Sequence, residues 1–240
     1  MGTMRLGLFI IIILAGIVGK SQAGEFTDNF NRADVGATSN GSAIGANYVI
    51  TSQSGTGQFA LLGTDYLVSS SATANHRVIS HQGFQAKNTA GQSFATSVDM
   101  KMTAYSTTIN SGLAFNFQDG LNFYAARLKT SSASGASDGA LYFVQLLNGT
   151  TSTLATGIPG LDIQTNTTYT LTITSDTAGA FGYSLVGGTV NKSGSIVDGA
   201  AGGNFSDGYV GIYQSVSGSS VRYDNFSVTT VSTLNLFAIN

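Results

Sequence analysis

The stretch TYTLTITSD, Thr168 to Asp176, restricts this chain more than any other. Tyr169, Leu171 and Ile173 alternate with Thr170, Thr172 and Thr174. A period of two sends one set to a buried face and the other toward water, the pattern of a half-buried β-strand. Similar runs occur at Ser93 to Thr103, Gly112 to Gln118, Asn122 to Lys129, Ala140 to Leu147, Ala180 to Val186, Gly208 to Gln214 and Val221 to Thr230. Gly, Asn, Asp and Ser bound most of them, as turns require. The 31 glycines supply turns, and the single proline, Pro159, leaves the strands almost uninterrupted. Strands this numerous, with turns every ten residues or so, predict an all-β chain of two packed antiparallel sheets.

Residues 1–23 stand apart from that pattern. Arg5 is followed by the apolar run Leu6 to Gly19, and Ser21-Gln22-Ala23 places small residues where a signal peptidase cuts. The run is shorter than the roughly 20 residues of a membrane-spanning helix. The reading is a cleaved signal-peptide helix, followed by one domain over 24–240 that is exported and free of the membrane. No cysteine is present, so stability must come from burial and sheet pairing rather than from disulfides. A net charge of -2, with 9% of residues charged, offers nucleic acid no basic footprint.

Two dipeptides set register. Asp119-Gly120 and Asn148-Gly149 suit the positive φ angles of a type I′ hairpin turn. A two-residue loop at Asp119-Gly120 would face Phe115 with Tyr124 and Asn116 with Phe123. Counting in twos, Leu113, Phe115, Phe117, Tyr124, Ala126 and Leu128 would be core. Asn116, Gln118, Phe123, Arg127 and Lys129 would share the opposite, outward face. The tripeptide Asp-Asn-Phe occurs at Asp28 to Phe30 and again at Asp224 to Phe226. We expect the two segments to be first and last strands paired side by side, which removes an open edge and ties down both ends.

The opening EFTDNFNRADVG, the middle SGLAFNFQDGLNFYAARLK with LYFVQLLNGT, and the close FSDGYVGIYQSVSGSSVRYDNFSV together resemble the laminin-G-like domains of the concanavalin A-like lectin and glucanase superfamily. The resemblance spans nearly all of residues 24–240. It implies a jelly roll of two curved sheets that holds glycans on its concave face or rim loops, sometimes with a structural calcium ion. These domains often carry Trp after the opening motif; the matching segment here is IGANYVI with Tyr48, and the chain has no Trp.

Superfamily glucanases work with two carboxylates, usually glutamates in an alternating strand motif. Glu25 is the only glutamate, and it lies at the expected new N-terminus, so that motif is absent. His76 and His81 are an odd number of residues apart, which puts them on opposite faces of a strand, and both are expected to be exposed. No catalytic residue is assigned. The Asn-x-Ser/Thr triplets are as frequent as chance gives in so Ser/Thr-rich a chain.

The leading function is a secreted, non-catalytic module that binds a glycan or cell-surface polysaccharide, because amides, cations and rings on one sheet face suit hydroxyls and flat C–H surfaces. The candidate binding residues are Asn116, Gln118, Phe123, Arg127 and Lys129, with Tyr48, Tyr105 and Tyr142 as stacking partners. A structural component of a cell surface or extracellular assembly is the alternative, and a polysaccharide-active enzyme the third reading. No cofactor is required; a structural calcium ion would draw oxygens from Asp28 and Asp224, with Asn29 and Asn225 beside them.

Overall fold

The structure is a computed structural model, and it describes residues 24–63, 66–69, 75–87, 92–105, 110–177, 179–199, 203–215 and 221–232. The expected signal segment, 1–23, lies outside them. In chain order the first elements are β1 (Gly24–Asp28), β2 (Val35–Thr38), the single helical turn α1 (Gly41–Ile44), β3 (Tyr48–Ser54), β4 (Phe59–Leu62), β5 (Tyr66–Ser69) and β6 (Asn75–Lys87). Next come β7 (Gln92–Met102), β8 (Asn110–Asp119), β9 (Asn122–Lys129), β10 (Gly139–Leu147) and β11 (Thr150–Leu161). The last are β12 (Thr168–Thr177), β13 (Ala180–Gly187), β14 (Val190–Val197), β15 (Asp207–Gln214) and β16 (Val221–Ser232).

The strands form two antiparallel sheets. One runs β14-β13-β12-β7-β16-β5-β4-β2, with β1 also on β16, and the other runs β11-β10-β9-β8-β15-β6-β3. Alternation decides which side chains meet between them. Tyr169, Leu171 and Ile173 of β12 are fully buried, as are Val98 and Met100 of the neighbouring β7. They pack against Phe115, Tyr124 and Phe143 from the seven-stranded sheet in one apolar core. Interleaved rings add specific contacts: Phe181 meets Phe115 edge-on at 4.9 Å and lies 5.1 Å from Tyr124.

The chain ends meet as the repeated tripeptide predicts. β1 pairs antiparallel with β16, Asp28 opposite Phe226 and Phe26 opposite Val228. The two copies are nevertheless not equivalent. In the first, Phe30 takes a φ of 54° after its N–H is captured by Asp28; in the second, Asn225 takes a φ of 48° at a bulge in β16. Phe30 and Phe226 are both fully buried.

The β8–β9 hairpin differs from the expectation in an instructive way. Phe115 does face Tyr124, but Asp119 pairs with Asn122, so the turn is Gly120-Leu121 and not Asp119-Gly120. The Asp119 carboxylate organises it, accepting from the Leu121 N–H at 2.7 Å and from Asn122 Nδ2 at 3.0 Å. The displaced register is absorbed by a bulge over 116–118, where Asn116 takes a φ of 47°. Strand β15 passes so close that a Cβ on Gly208 would stand 2.5 Å from the Asn116 carbonyl carbon, so only glycine fits there. The bulge reverses the faces beyond it. Phe117 turns to the outer side of the seven-stranded sheet and joins Phe123, Ala125, Val144 and Tyr213 in a second apolar cluster. The Asn148-Gly149 turn, by contrast, has the expected positive φ values, 51° and 76°.

Candidate functional site

On the outer side of the seven-stranded sheet one transverse row crosses four strands: Tyr213 opposite Gly112, Gly112 opposite Arg127, Arg127 opposite Tyr142. Gly112 leaves a gap in that row. A Cβ there would press to 2.0 Å from the Ala126 carbonyl oxygen, so the gap is built into the backbone. The Arg127 guanidinium lies over the Tyr142 ring, 5.7 Å from its centroid, and its Nε has no hydrogen-bond partner among the described residues. Tyr213 Oη shares a 2.7 Å hydrogen bond with His76 Nδ1. Lys129, two residues along β9, faces the same way, and Arg127, Lys129, Tyr142 and His76 are all half-buried.

The charge states follow from the surroundings. Burial lowers the His76 pKa and the Arg127 charge lowers it further, so the imidazole is neutral at neutral pH. Burial raises the Tyr213 pKa, against which Arg127 acts. The row therefore offers one fixed cation on an aromatic floor beside neutral hydroxyl and imidazole groups. Such a set donates hydrogen bonds to neutral or weakly acidic oxygens.

The remaining predicted residues divide. Asn116 and Phe123 are both 0% exposed, which corrects their placement on an open face: the bulge turns Asn116 inward, where Nδ2 donates to the Phe205 carbonyl at 3.0 Å, and Phe123 is a centre of the second apolar cluster. Gln118 is exposed, but its amide is held by the backbone carbonyl and carboxylate of Asp207. Tyr105 donates to Gln164 Oε1 at 2.8 Å in the segment after β7, away from the row. Neither histidine is freely exposed; His81 is buried, on the face opposite to His76 as their spacing requires.

Tyr48 and Asp28 belong to a different place, the end of the sandwich beside β1. Asp28 Oδ1 accepts from the Phe30 N–H at 2.7 Å and from Arg32 Nη1 at 2.7 Å. Its Oδ2 accepts from Arg32 Nη2 at 2.8 Å and from Tyr48 Oη at 2.9 Å. Arg32 Nε donates to the Ile44 carbonyl at 2.7 Å, tying α1 to the pair. Burial alone would raise the Asp28 pKa, but the Arg32 hydrogen bonds, the Phe30 amide and Tyr48 outweigh it and the net shift is downward. Burial and the adjacent carboxylate push the Tyr48 hydroxyl far up. With both oxygens occupied by a guanidinium and a phenol, Asp28 has no lone pair directed at a cation. Asp28 and Asn225 line the cleft at this end, and Asn225 also lines the neighbouring cleft of Asp224, Asp99, Lys101 and Arg222. Among the described residues no three His, Cys, Asp or Glu side chains gather into a metal site. Arg32 was legible only as a residue four positions after Asp28; its role needs the turn that Phe30 makes.

No family model matches the chain, and no curated protein is significantly similar to it in sequence. Solved structures do resemble it. The basic winged bean lectin, solved with Tn-antigen, superposes with a TM-score of 0.51 over 88% of this chain and 99% of its own, at 8% identity. The GH43 protein BlXynB from Bacillus licheniformis gives 0.50 at 11% identity over 86% of this chain, which spans 39% of that protein. The carbohydrate-binding module CBM66 from Bacillus subtilis gives 0.49 at 17% identity, covering 76% of this chain and 95% of the module. At such identities the likeness speaks for architecture alone: this chain folds as a jelly-roll β-sandwich of two antiparallel sheets.

Proposed function

We propose that the chain is an extracellular carbohydrate-binding module of the laminin-G-like kind, exported by residues 1–23 and folded as one domain over 24–240, which holds a glycan on the outer face of the seven-stranded sheet. The observation that carries this reading is Arg127, fixed over Tyr142 and bordered by the gap at Gly112. A sugar ring has an apolar face for Tyr142 and hydroxyls for Arg127 and Lys129. The winged bean lectin, which has a similar fold and was solved with Tn-antigen, supports the assignment. The reading is non-catalytic. Asp99 and Asp224 lie opposite each other on neighbouring strands, with Asp99 held by Thr170 and Asn225, and we read the pair as structural.

A glycan array probed with the chain starting at Gly24 tests the reading, followed by calorimetry on the best ligand. Replacing Arg127 or Tyr142 by alanine should weaken binding about tenfold, roughly 1.4 kcal/mol each. A folded protein that binds nothing on the array, or variants that bind as well as the parent, would refute the proposal.

A further inference from the structure

A sizeable cleft lies away from the sheet face. It opens at the end of the sandwich beside β1, has a volume of about 820 Å³ and is lined by Phe26, Arg32, Asn47, His81, Phe84 and Asn225 among others. Its size falls within the roughly 300–1,000 Å³ of small-ligand sites. Phe26 lies flat on the His81 ring, centroids 3.9 Å apart at 23°, while Phe84 flanks both rings and Tyr48 meets His81 edge-on at 5.2 Å.

His81 is 3% exposed, yet its enclosed Nδ1 has no hydrogen-bond partner among the described residues. A buried polar group without a partner is costly, and native proteins rarely tolerate one without a reason. The cleft is also electrically neutral. Arg32 and Asp28 cancel in a bidentate pair, and burial lowers the His81 pKa despite the opposing pull of Asp28, leaving a neutral imidazole with one donor and one acceptor. At the rim stand Asn47 and Asn225, exposed and fixed in the left-handed region at φ values of 68° and 48°. Asn225 Nδ2 is engaged by Asp99, which leaves its carbonyl oxygen to accept.

An ion would find no net charge here, and a purely apolar ligand would leave the imidazole and amides unmatched. We propose that this cleft is a second saccharide site, taking one uncharged pyranose with a ring face on Phe26 and Phe84 and a hydroxyl on the His81 imidazole. It shares no residue with the row containing Arg127, so either site can fail without the other.

Nitrogen-15 NMR of the histidine rings in the chain starting at Gly24 tests this directly. The probes are methyl β-D-galactopyranoside, methyl α-D-glucopyranoside and methyl α-D-mannopyranoside, each titrated to about 100 mM, enough to saturate a millimolar site. At least one should move the His81 ring resonances saturably, and the response should persist in Arg127→Ala. Phe84→Ala, at a half-buried wall whose loss leaves the core packed, should weaken it about tenfold. His81→Gln should abolish binding at the end cleft with the circular dichroism unchanged; if that variant does not fold, Phe84→Ala decides. His81 resonances that stay still with all three sugars, or a Phe84→Ala protein that binds as tightly as the parent, would overturn the proposal.

Discussion

Asp28 shows how one side chain can hold together segments far apart in function and sequence. Its carboxylate joins the end of β1, the turn at Phe30, the guanidinium of Arg32 and the ring of Tyr48 in β3. Removing Arg32 would strand a largely buried carboxylate. Because Arg32 itself is about a third exposed, Arg32→Ala should cost about 2 kcal/mol in urea unfolding, less than for a fully enclosed pair. The pH dependence has a definite sign. The folded-state pKa of Asp28 lies below its ordinary value, so its contribution is complete above about pH 4 and is lost as pH falls through the folded value. His76 and His81 are also shifted down, but as bases they act from a higher pH. The unfolded chain takes up their protons first, near 6.5, so stability declines as pH drops below that value toward the folded pKa. Melting temperatures should therefore fall between pH 7 and pH 5, and fall less in the double variant His76→Gln with His81→Gln.

At the scale of elements, strands with clean alternation were legible and the interruptions were not. The runs assigned to β7, β9, β10, β12, β13, β15 and β16 match the structure to within about two residues at each end, because polar residues or glycines mark their limits. The Asn148-Gly149 turn was legible too, since two adjacent residues that accept positive φ leave few alternatives; Asn148→Ala should cost about 1 kcal/mol there. The bulge at Asn116 was not. It depends on Gly208 admitting β15 and on Phe205 accepting the Asn116 amide, both about 90 residues away. Replacing Asn116 by glycine should be gentler than replacing it by alanine, by about 1 kcal/mol, because both lose the amide but only alanine is strained at that φ. Equal effects in urea titrations would argue against the bulge as drawn. The same bulge explains why Asn116 and Phe117 were assigned to the wrong faces, while Phe123 is on the expected outer face but enclosed there by Phe117 and Tyr213.

For the whole molecule, closure is the decisive event. β1 pairs with β16 from the opposite end of the described chain, covers part of the β16 edge and completes the end cleft. Deleting Gly24 to Asp28 should lower the melting temperature by more than ten degrees, since several kcal/mol of pairing and burial go together. It should also raise the aggregated fraction in light scattering, because a long edge is bared. The sequence by itself determined the all-β class, most strands, the pairing of the chain ends and one complete hairpin turn. All of these follow from local alternation, turn chemistry or a repeated word. The faces that Asn116 and Phe117 occupy, the engagement of Asp28 with Arg32 and the place of His81 beside a cleft emerge only in three dimensions. Those outcomes depend on contacts between strands distant in the chain, and a pattern of period two carries no information about which distant strand arrives.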